Sequence, residues 1–525
     1  MTKKILSIIF SICLLVTVFA GCNKKNAEVP KNKDSVIIAM GTASEPESGF
    51  DPAHGWGAGE HVHEPLIQST LTVTTNDLEI EYDLATDMIT SPDGLTWTVK
   101  IRDDVKFTDG KKLTAKDVAF TYNTLKKTSS VNDFTMLDKA EATDATTVVF
   151  HLNKAYSIWP YTMAIVGIVP EHAYGKDYGS HPIGSGRYKL KQWDKGQQVI
   201  FEANENYYGK KVKMKKVTIL FMSEDAAFSA VKAGQVDLAY TAASYSKQKI
   251  KNYELLSFKS VDNRTFNLPT IAQTKNNDGL KIGNNVTNDI AIRKAVNIGL
   301  DRNEMIKNVL NGHGTPAFSV CDNMPWDSSL NEVKYDLKGA IKILDDAGWV
   351  KGSDGIRAKN GVRAEISIMY PSGDSVRQAL SADTKNQLKK IGISVVLQGV
   401  SWDEAYDRAK SEIMTWGWGS HTPMEIYNIY HSNAKTGLAD YSPYSNATAD
   451  KLMDKALASS SLEESYKLWQ EAQVEINKDV PWIWLVNIDH LYWSNKKLNV
   501  AEQKLHPHGH GWSIVNNVDQ WTWDN

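Results

Sequence analysis

The strongest constraint on this chain is how often its hydrophobic pattern changes period. Short apolar runs of strand type alternate with amphipathic runs of helical spacing along nearly the whole length. "SVIIAM" at 35–40 reads as a buried strand, and "LTWTVKIR" at 95–102 alternates as a half-buried one. "TAKDVAFTYNTLKK" follows with Thr114 as N-cap and apolar residues at helical spacing. "EDAAFSAVKAGQVDLAY" is a helix, a glycine stop and a strand, and "DTKNQLKKIGISVVLQGV" repeats that order. "VTILFM" and "AEISIMY" are strands, "DIAIRKAVNIGLDRNEMIKNVLNG" is a helix pair, and "LEESYKLWQEAQVEINKD" is a late amphipathic helix. Such an order predicts an α/β protein with mixed sheets. No internal repeat is visible.

The first residues are expected to lie outside that fold. "MTKK" and "ILSIIFSICLLVTVFA" form a positive n-region and an apolar h-region, closing on "FAGC". Cys22 then stands where a bacterial lipoprotein carries its lipid, although Phe19 departs from the usual aliphatic residue. The expectation is a signal peptide over 1–21, lipidation of Cys22 and a polar tether over 22–35, which would hold the protein at a membrane surface. Cys13 would leave with the signal and Cys22 would carry lipid, so Cys321 alone remains and no internal disulfide can form. The formal net charge of -3 offers no basic surface for nucleic acid. No second apolar run approaches the ~20 residues of a membrane span.

Several motifs then carry a family likeness. "SPDGLTWTVKIRDDVKFTDGKKLTAKDVAFTYNTL" at 91–125 and "PIGSGRYKLKQWDKGQQVIFEANENYYG" at 182–209 come first. "FNLPT", "IRKAVNIGLDR", "AIKILDDAGW" and "LKKIGISVVL" follow in order. Nearly end to end after residue 35, the chain resembles the peptide/nickel family (family 5) of extracytoplasmic solute-binding proteins that serve ABC importers. Arg187 departs from the family pattern, standing where "GTGPY" has proline. The resemblance implies two α/β lobes on a hinge, of the cluster C periplasmic-binding-protein type, with an extra subdomain in the first lobe. It implies lobe I over 36–62, 183–270 and 488–525, the subdomain over 63–182, and lobe II over 271–487. Ligand would lie between lobes that close on it. The implied partners are the permease and ATPase subunits of the importer and a small-molecule or metal ligand, with the protein a monomer. A lipid anchor suits a Gram-positive envelope, on the extracellular face of its membrane.

The ligand is narrowed by histidines. In peptide binders of the family an aspartate before a proline commonly meets the ligand's ammonium. The matching stretch here is "TWGWGSHTPMEIYNIYHS" at 415–432, where Thr422 precedes Pro423 and His421 is next to it. Nickel binders of the family resemble this segment, with a histidine after a "TWG". The tail "HPHGHGW" adds His508 and His510, and "FDPAHGWGAGEHVHE" adds His54, His61 and His63. Neutral imidazole suits nickel, copper and zinc. His421, His508, His510 and His54 are therefore the candidate metal ligands, with Trp56, Trp416, Trp418 and Trp512 as candidate walls of the site. Each tryptophan fits core packing equally well. His61 and His63 can simply start a helix, His431 and His506 are read as structural, and His313 as a helix-end residue. Binders of this class often take metal already chelated, for example by histidine. Arg187 and Arg377 are candidates to grip a chelator's carboxylates, and a surface salt bridge is the plain alternative for each. A di- or oligopeptide is the competing ligand. No "HExxH" or "GxSxG" is present, so no catalytic role or catalytic cofactor is expected.

Overall fold

The computed structural model describes residues 34–57, 63–129, 133–434, 441 and 443–524. Cys22, the leader, residues 22–33 of the tether and His61 lie outside the described residues, while Ser35 already opens the first strand.

The strand Ser35–Gly41 buries Val36, Ile38, Ala39 and Met40, as its continuous apolar run requires. It pairs in parallel with Lys216–Met222 and Leu238–Thr241. The helix Glu224–Ala233 makes the crossover between those two strands. The Ser223 side chain caps its start, and Gly234, with φ at +70°, ends it. Together they form the heart of a seven-stranded sheet in the order 253–258, 490–495, 238–241, 35–41, 216–222, 198–203, 188–194. A second sheet of six strands runs 314–316, 482–488, 263–267, 413–416, 365–371, 394–400. Its parallel pair Glu365–Pro371 and Ser394–Val400 is joined by the helix Ser375–Lys390. A four-stranded antiparallel sheet stands apart, with Thr96–Ile101 between Ala85–Thr90 and Thr147–Leu152. The helix Ala115–Thr128 belongs with it, opened by a capping box of Thr114 and Asp117.

Each of the two large sheets has its own buried cluster, so the structure has the expected two-lobed α/β architecture. The chain changes sheet twice. It leaves the first sheet after Phe258 and enters the second at Asn263. It returns through Asp489 alone, between Trp482–Ile488 and His490–Asn495. The boundary expected at residue 270 thus falls earlier, because Asn263–Asn267 pairs with both Trp482–Ile488 and Ile413–Trp416. These two short crossings form the hinge and line the space between the lobes.

The C-terminal tail folds back onto the first lobe. Trp512 is fully buried there, edge-on to Trp56 at 5.0 Å and stacked on His63 at 5.3 Å. Its indole Nε1 donates to the Ser44 carbonyl at 2.6 Å. Trp56 is equally buried and meets Phe50 at 4.7 Å. Trp56 and Trp512 are therefore core residues rather than walls of a ligand site. Nor does His63 start a helix, since its ring fills the space beside Trp56. Burying so large an indole anchors the tail, and the anchor sets where His508 and His510 sit. Truncation by Trp512→Ala should cost about 3–5 kcal/mol of unfolding free energy in a urea titration. A loss below 1 kcal/mol would remove Trp512 from the core.

Candidate functional site

Between the sheets lies a cavity of about 270 Å³. Its walls come from the ends of the first-lobe strands at 41–44 and 222–224, the turn 371–377 of the second lobe, and the two crossings. A narrower recess of about 50 Å³ continues from it, sharing Arg377, Trp402, His508 and His510. This is where open α/β sheets place ligands, at strand ends beside helix starts.

Asp262 is the hub of the charged groups. Asp262 directly precedes the strand Asn263–Asn267, and the Arg264 Nη1 donates to its Oδ1. His490 Nε2 lies 3.0 Å from the Asp262 Oδ2, and His508 Nδ1 lies 2.7 Å from its Oδ1. Burial alone would push this carboxyl up. The Arg264 guanidinium, His508 and the hydrogen bonds from His490 and His508 outweigh that and hold it well below the usual range. The Asp262 carboxylate accepts from the His508 Nδ1, so in the neutral ring Nε2 is the nitrogen with a lone pair. Backbone contacts fix the ring's position: His508 N donates to the Gly419 carbonyl at 2.7 Å, and Val261 N to the His506 carbonyl at 2.9 Å. The His510 ring stands edge-on to His508 at 4.7 Å. These two imidazoles line both the cavity and the recess.

Arg377 does too. It is held by Asp374 one turn before it and lies over the Trp402 ring at 5.6 Å. Burial and the neighbouring Arg264 both disfavour its charge, and Asp374 offsets them. Trp416 and Trp418 also line the recess, joined by Trp402, Tyr406 and Tyr441. Their rings are nearly parallel, with Trp416 and Tyr441 4.3 Å apart. At the recess floor Glu425 Oε1 accepts from the Gly419 N–H at 3.2 Å. Burial pushes its carboxyl up to about 8, so it is neutral at pH 7.

Three candidates are corrected. His421 lines neither the cavity nor the recess. It sits beside Lys504 and Glu64, burial pushes it down to about 3, and its Nε2 has no hydrogen-bond partner. Arg187 is buried in the first lobe, paired with Asp519 at 2.8 Å and donating to the Asn516 carbonyl, at a separate polar hollow. His54 is exposed on a short turn, Pro52–His54, away from the cleft. His431 and His506 are structural as read: His431 stacks on Tyr427 at 4.2 Å and His506 faces His490 at 3.1 Å. His313 does follow a helix end, yet it also lines the cavity.

Sequence reading missed Asp262, Arg264, Trp402, Tyr406, Gly417 and Glu425. A signal existed for some. Asp262 and Arg264 are two apart where the strand Asn263–Asn267 begins, and Trp402 and Tyr406 are four apart on the helix Trp402–Arg408. Among the described residues, no group of three or more His, Cys, Asp or Glu is arranged to hold a metal ion.

Comparison with known proteins agrees with this geometry. Residues 79–479 match the model of the bacterial extracellular solute-binding proteins, family 5. Protein XP55 of Streptomyces lividans is 32% identical over 480 residues, covering 87% of this chain and 84% of the relative. The oligopeptide-binding protein AppA of Bacillus subtilis is 28% identical, covering 98% of this chain and 97% of its own. Among solved structures, NikZ of Campylobacter jejuni in complex with Ni(L-His) superposes with a TM-score of 0.81 at 28% identity. That match covers 93% of this chain and 99% of NikZ. AppA of B. subtilis with a nonapeptide gives 0.77 at 25% identity, covering 95% and 100%.

A neutral Glu425 carries a test in pH. Its unfolded value is the ordinary 4.5 and its folded value about 8. Below 4.5 both states are protonated and the group is silent. Between 4.5 and 8 the unfolded chain releases the proton first, so stability falls as pH rises. Glu425→Gln removes that penalty. Its unfolding free energy should match wild type near pH 4.5 and exceed it by on the order of 2–4 kcal/mol at pH 8. Equal differences at both pH values would mean Glu425 is ionised in the fold.

Proposed function

We propose that this chain, which belongs to the bacterial extracellular solute-binding proteins of family 5, captures a transition metal already held by a small amino-acid chelator. As a member of that family it is the substrate-binding protein of an ABC importer, delivers ligand to the membrane permease, and is not an enzyme. Nickel with histidine is the favoured cargo. The observation that carries this reading is the Asp262–His508 pair. A carboxylate on one imidazole nitrogen fixes the tautomer, strengthens the other nitrogen as a donor, and recurs behind metal-bound histidines generally. His510, beside it, supplies a second imidazole.

A bare ion fits less well. Two imidazoles leave coordination positions open, and the described residues offer no third ligand group in place. A chelator fills those positions. Its carboxylates suit Arg264 and Arg377, which both line the cavity. The likeness to NikZ with its Ni(L-His) supports the same cargo. The likeness to AppA supports the other reading, a di- or oligopeptide. The cavity of about 270 Å³ is at the small end for a ligand site and favours a compact guest.

Calorimetry with nickel alone, nickel with L-histidine, and a dipeptide mixture separates these readings. Nickel with histidine should bind at least tenfold tighter than nickel alone. His508→Ala should weaken it by roughly 10–100-fold or more. No heat with either nickel sample, or peptides co-purifying from the host by mass spectrometry, would move the assignment to a peptide carrier.

We further propose that Cys22 carries a lipid that holds the protein on the extracellular face of the cell membrane. Cys22→Ala should shift the protein from the membrane fraction to the medium. An unchanged distribution would rule the lipid out.

A further inference from the structure

The two cleft arginines come from distant parts of the sequence, Arg264 on the crossing strand and Arg377 on the helix Ser375–Lys390. Both are almost wholly buried, with relative exposures of 5% and 4%. Like charges at such depth repel, and burial and Arg264 together disfavour the charge on Arg377. Asp262 and Asp374 each take one Nη of one arginine, through Arg264 Nη1 and Arg377 Nη1. The Nε of each remains without an acceptor. Something must let the two groups lie this close.

That something is a missing side chain. Gly417 follows the strand Ile413–Trp416 and directly precedes Trp418 in the recess. A Cβ built on it would stand 2.6 Å from the Arg377 Nη2 and 2.7 Å from the Arg264 Nη1. Both are far inside contact distance. Its φ lies outside the left-handed region, so the backbone itself would accept alanine. Glycine is needed here for space alone, and the atoms filling that space are the two guanidinium tips.

We propose that Gly417 is a specificity-determining residue: its bare Cα seats Arg264 and Arg377 side by side, so that together they read a carboxylate on the ligand. Gly417 is a positioning residue, acting through the arginines. The inference rests on the metal-chelate reading above and adds the group that selects the chelator. A methyl at 417 collides only with the ends of flexible side chains and with the Asn263 carbonyl at 3.0 Å. The arginine tips must then shift within their ion pairs with Asp262 and Asp374, and their spacing is lost.

The test uses two nickel chelates that share an imidazole and an amine but differ in a carboxylate: nickel–histidine and nickel–histamine. Wild type should bind nickel–histidine roughly 10–100-fold tighter, the scale of charge-assisted hydrogen bonds. In Gly417→Ala that preference should collapse to within about threefold, through loss of histidine-chelate affinity with the histamine chelate unchanged. Arg377→Lys keeps the charge but not the fork, and should show the same collapse. Adding Gly417→Ala to it should then change little, as expected of two residues acting through one contact. The ligand-free Gly417→Ala protein should melt within about 3 °C of wild type. If wild type prefers histidine and Gly417→Ala keeps that preference, the role of Gly417 is overturned while the chelate reading stands. If wild type binds both chelates equally, the carboxylate grip is overturned. If wild type binds neither, the chelate reading itself has failed. Should Gly417→Ala not fold, Arg377→Lys and Arg264→Lys test the paired grip that Gly417 seats, and a retained preference in either overturns the inference.

Discussion

The cleft depends on one buried carboxylate. Asp262 lies where the chain passes from the first sheet to the second, and three cationic or imidazole groups converge on it: Arg264, His490 and His508. An ion so deep survives only with its partners in place, because breaking such a set by removing one member commonly costs 3–5 kcal/mol. Each partner belongs to a different stretch of chain. Arg264 is on the outgoing crossing, His490 on the returning one, and His508 on the C-terminal tail. Asp262 therefore ties both hinge strands and the tail into one electrostatic unit. The unit places an imidazole in the cleft and sets which of its nitrogens is free.

Around that unit, the lobes meet through contacts made by strand and helix ends. The Ser375 hydroxyl, at the start of its helix, donates to the Glu224 carboxylate at the start of a first-lobe helix, at 2.7 Å. Two helix N-termini thus face each other with an acid between them, which their dipoles favour. Ser44 donates to the His510 carbonyl from the first lobe, and the Gly419 carbonyl accepts from His508 in the second. The tail is gripped from both sides. A tail pinned by Trp512 in one lobe and by Gly419 in the other belongs to a closed arrangement, and the histidines it carries are set by both lobes at once.

Much of the fold was legible in the chain because its elements are locally consistent. Thr114 caps the helix it precedes, Gly234 ends the one before it, and the strands at 35 and 365 sit where their apolar runs lie. The site was legible only in part. His508, His510, Arg377, Trp416 and Trp418 reach the cleft, since glycine-rich loops and a family-like segment mark them. Trp56 and Trp512 have the same local signature but are core, because burial is decided by partners hundreds of residues away. Arg187 carries a departure from the family pattern for a structural reason: Asp519, 332 positions on, needs its charge. His421 sits on the expected loop, yet its ring turns toward Lys504 and Glu64. Asp262 and Arg264 were missed because their spacing alone does not show that they are buried as a pair, and Gly417 because a seat for that pair has no mark in one sequence. The meaning of a glycine there is the absence of a clash that only coordinates reveal.

Charge balance in the cleft also explains why imidazole ligands stand beside arginines. A naked divalent cation approaching His508 would meet Arg264 and Arg377 in the same cavity. Asp262 and Asp374 are already engaged with those arginines, so they have little negative charge to spare for it. Repulsion between like charges in a poorly solvated space is large on the scale of a metal–imidazole bond. A metal that arrives with carboxylates reverses the sign, because the guanidinium groups then attract the chelator while an imidazole completes the coordination. Two further carboxylates line the cavity, Asp489 paired with Lys259 and Glu224 accepting from Ser375. Burial keeps Glu425 in the recess uncharged. On the proposed reading, an anionic chelate is the guest that suits charges paired in this way.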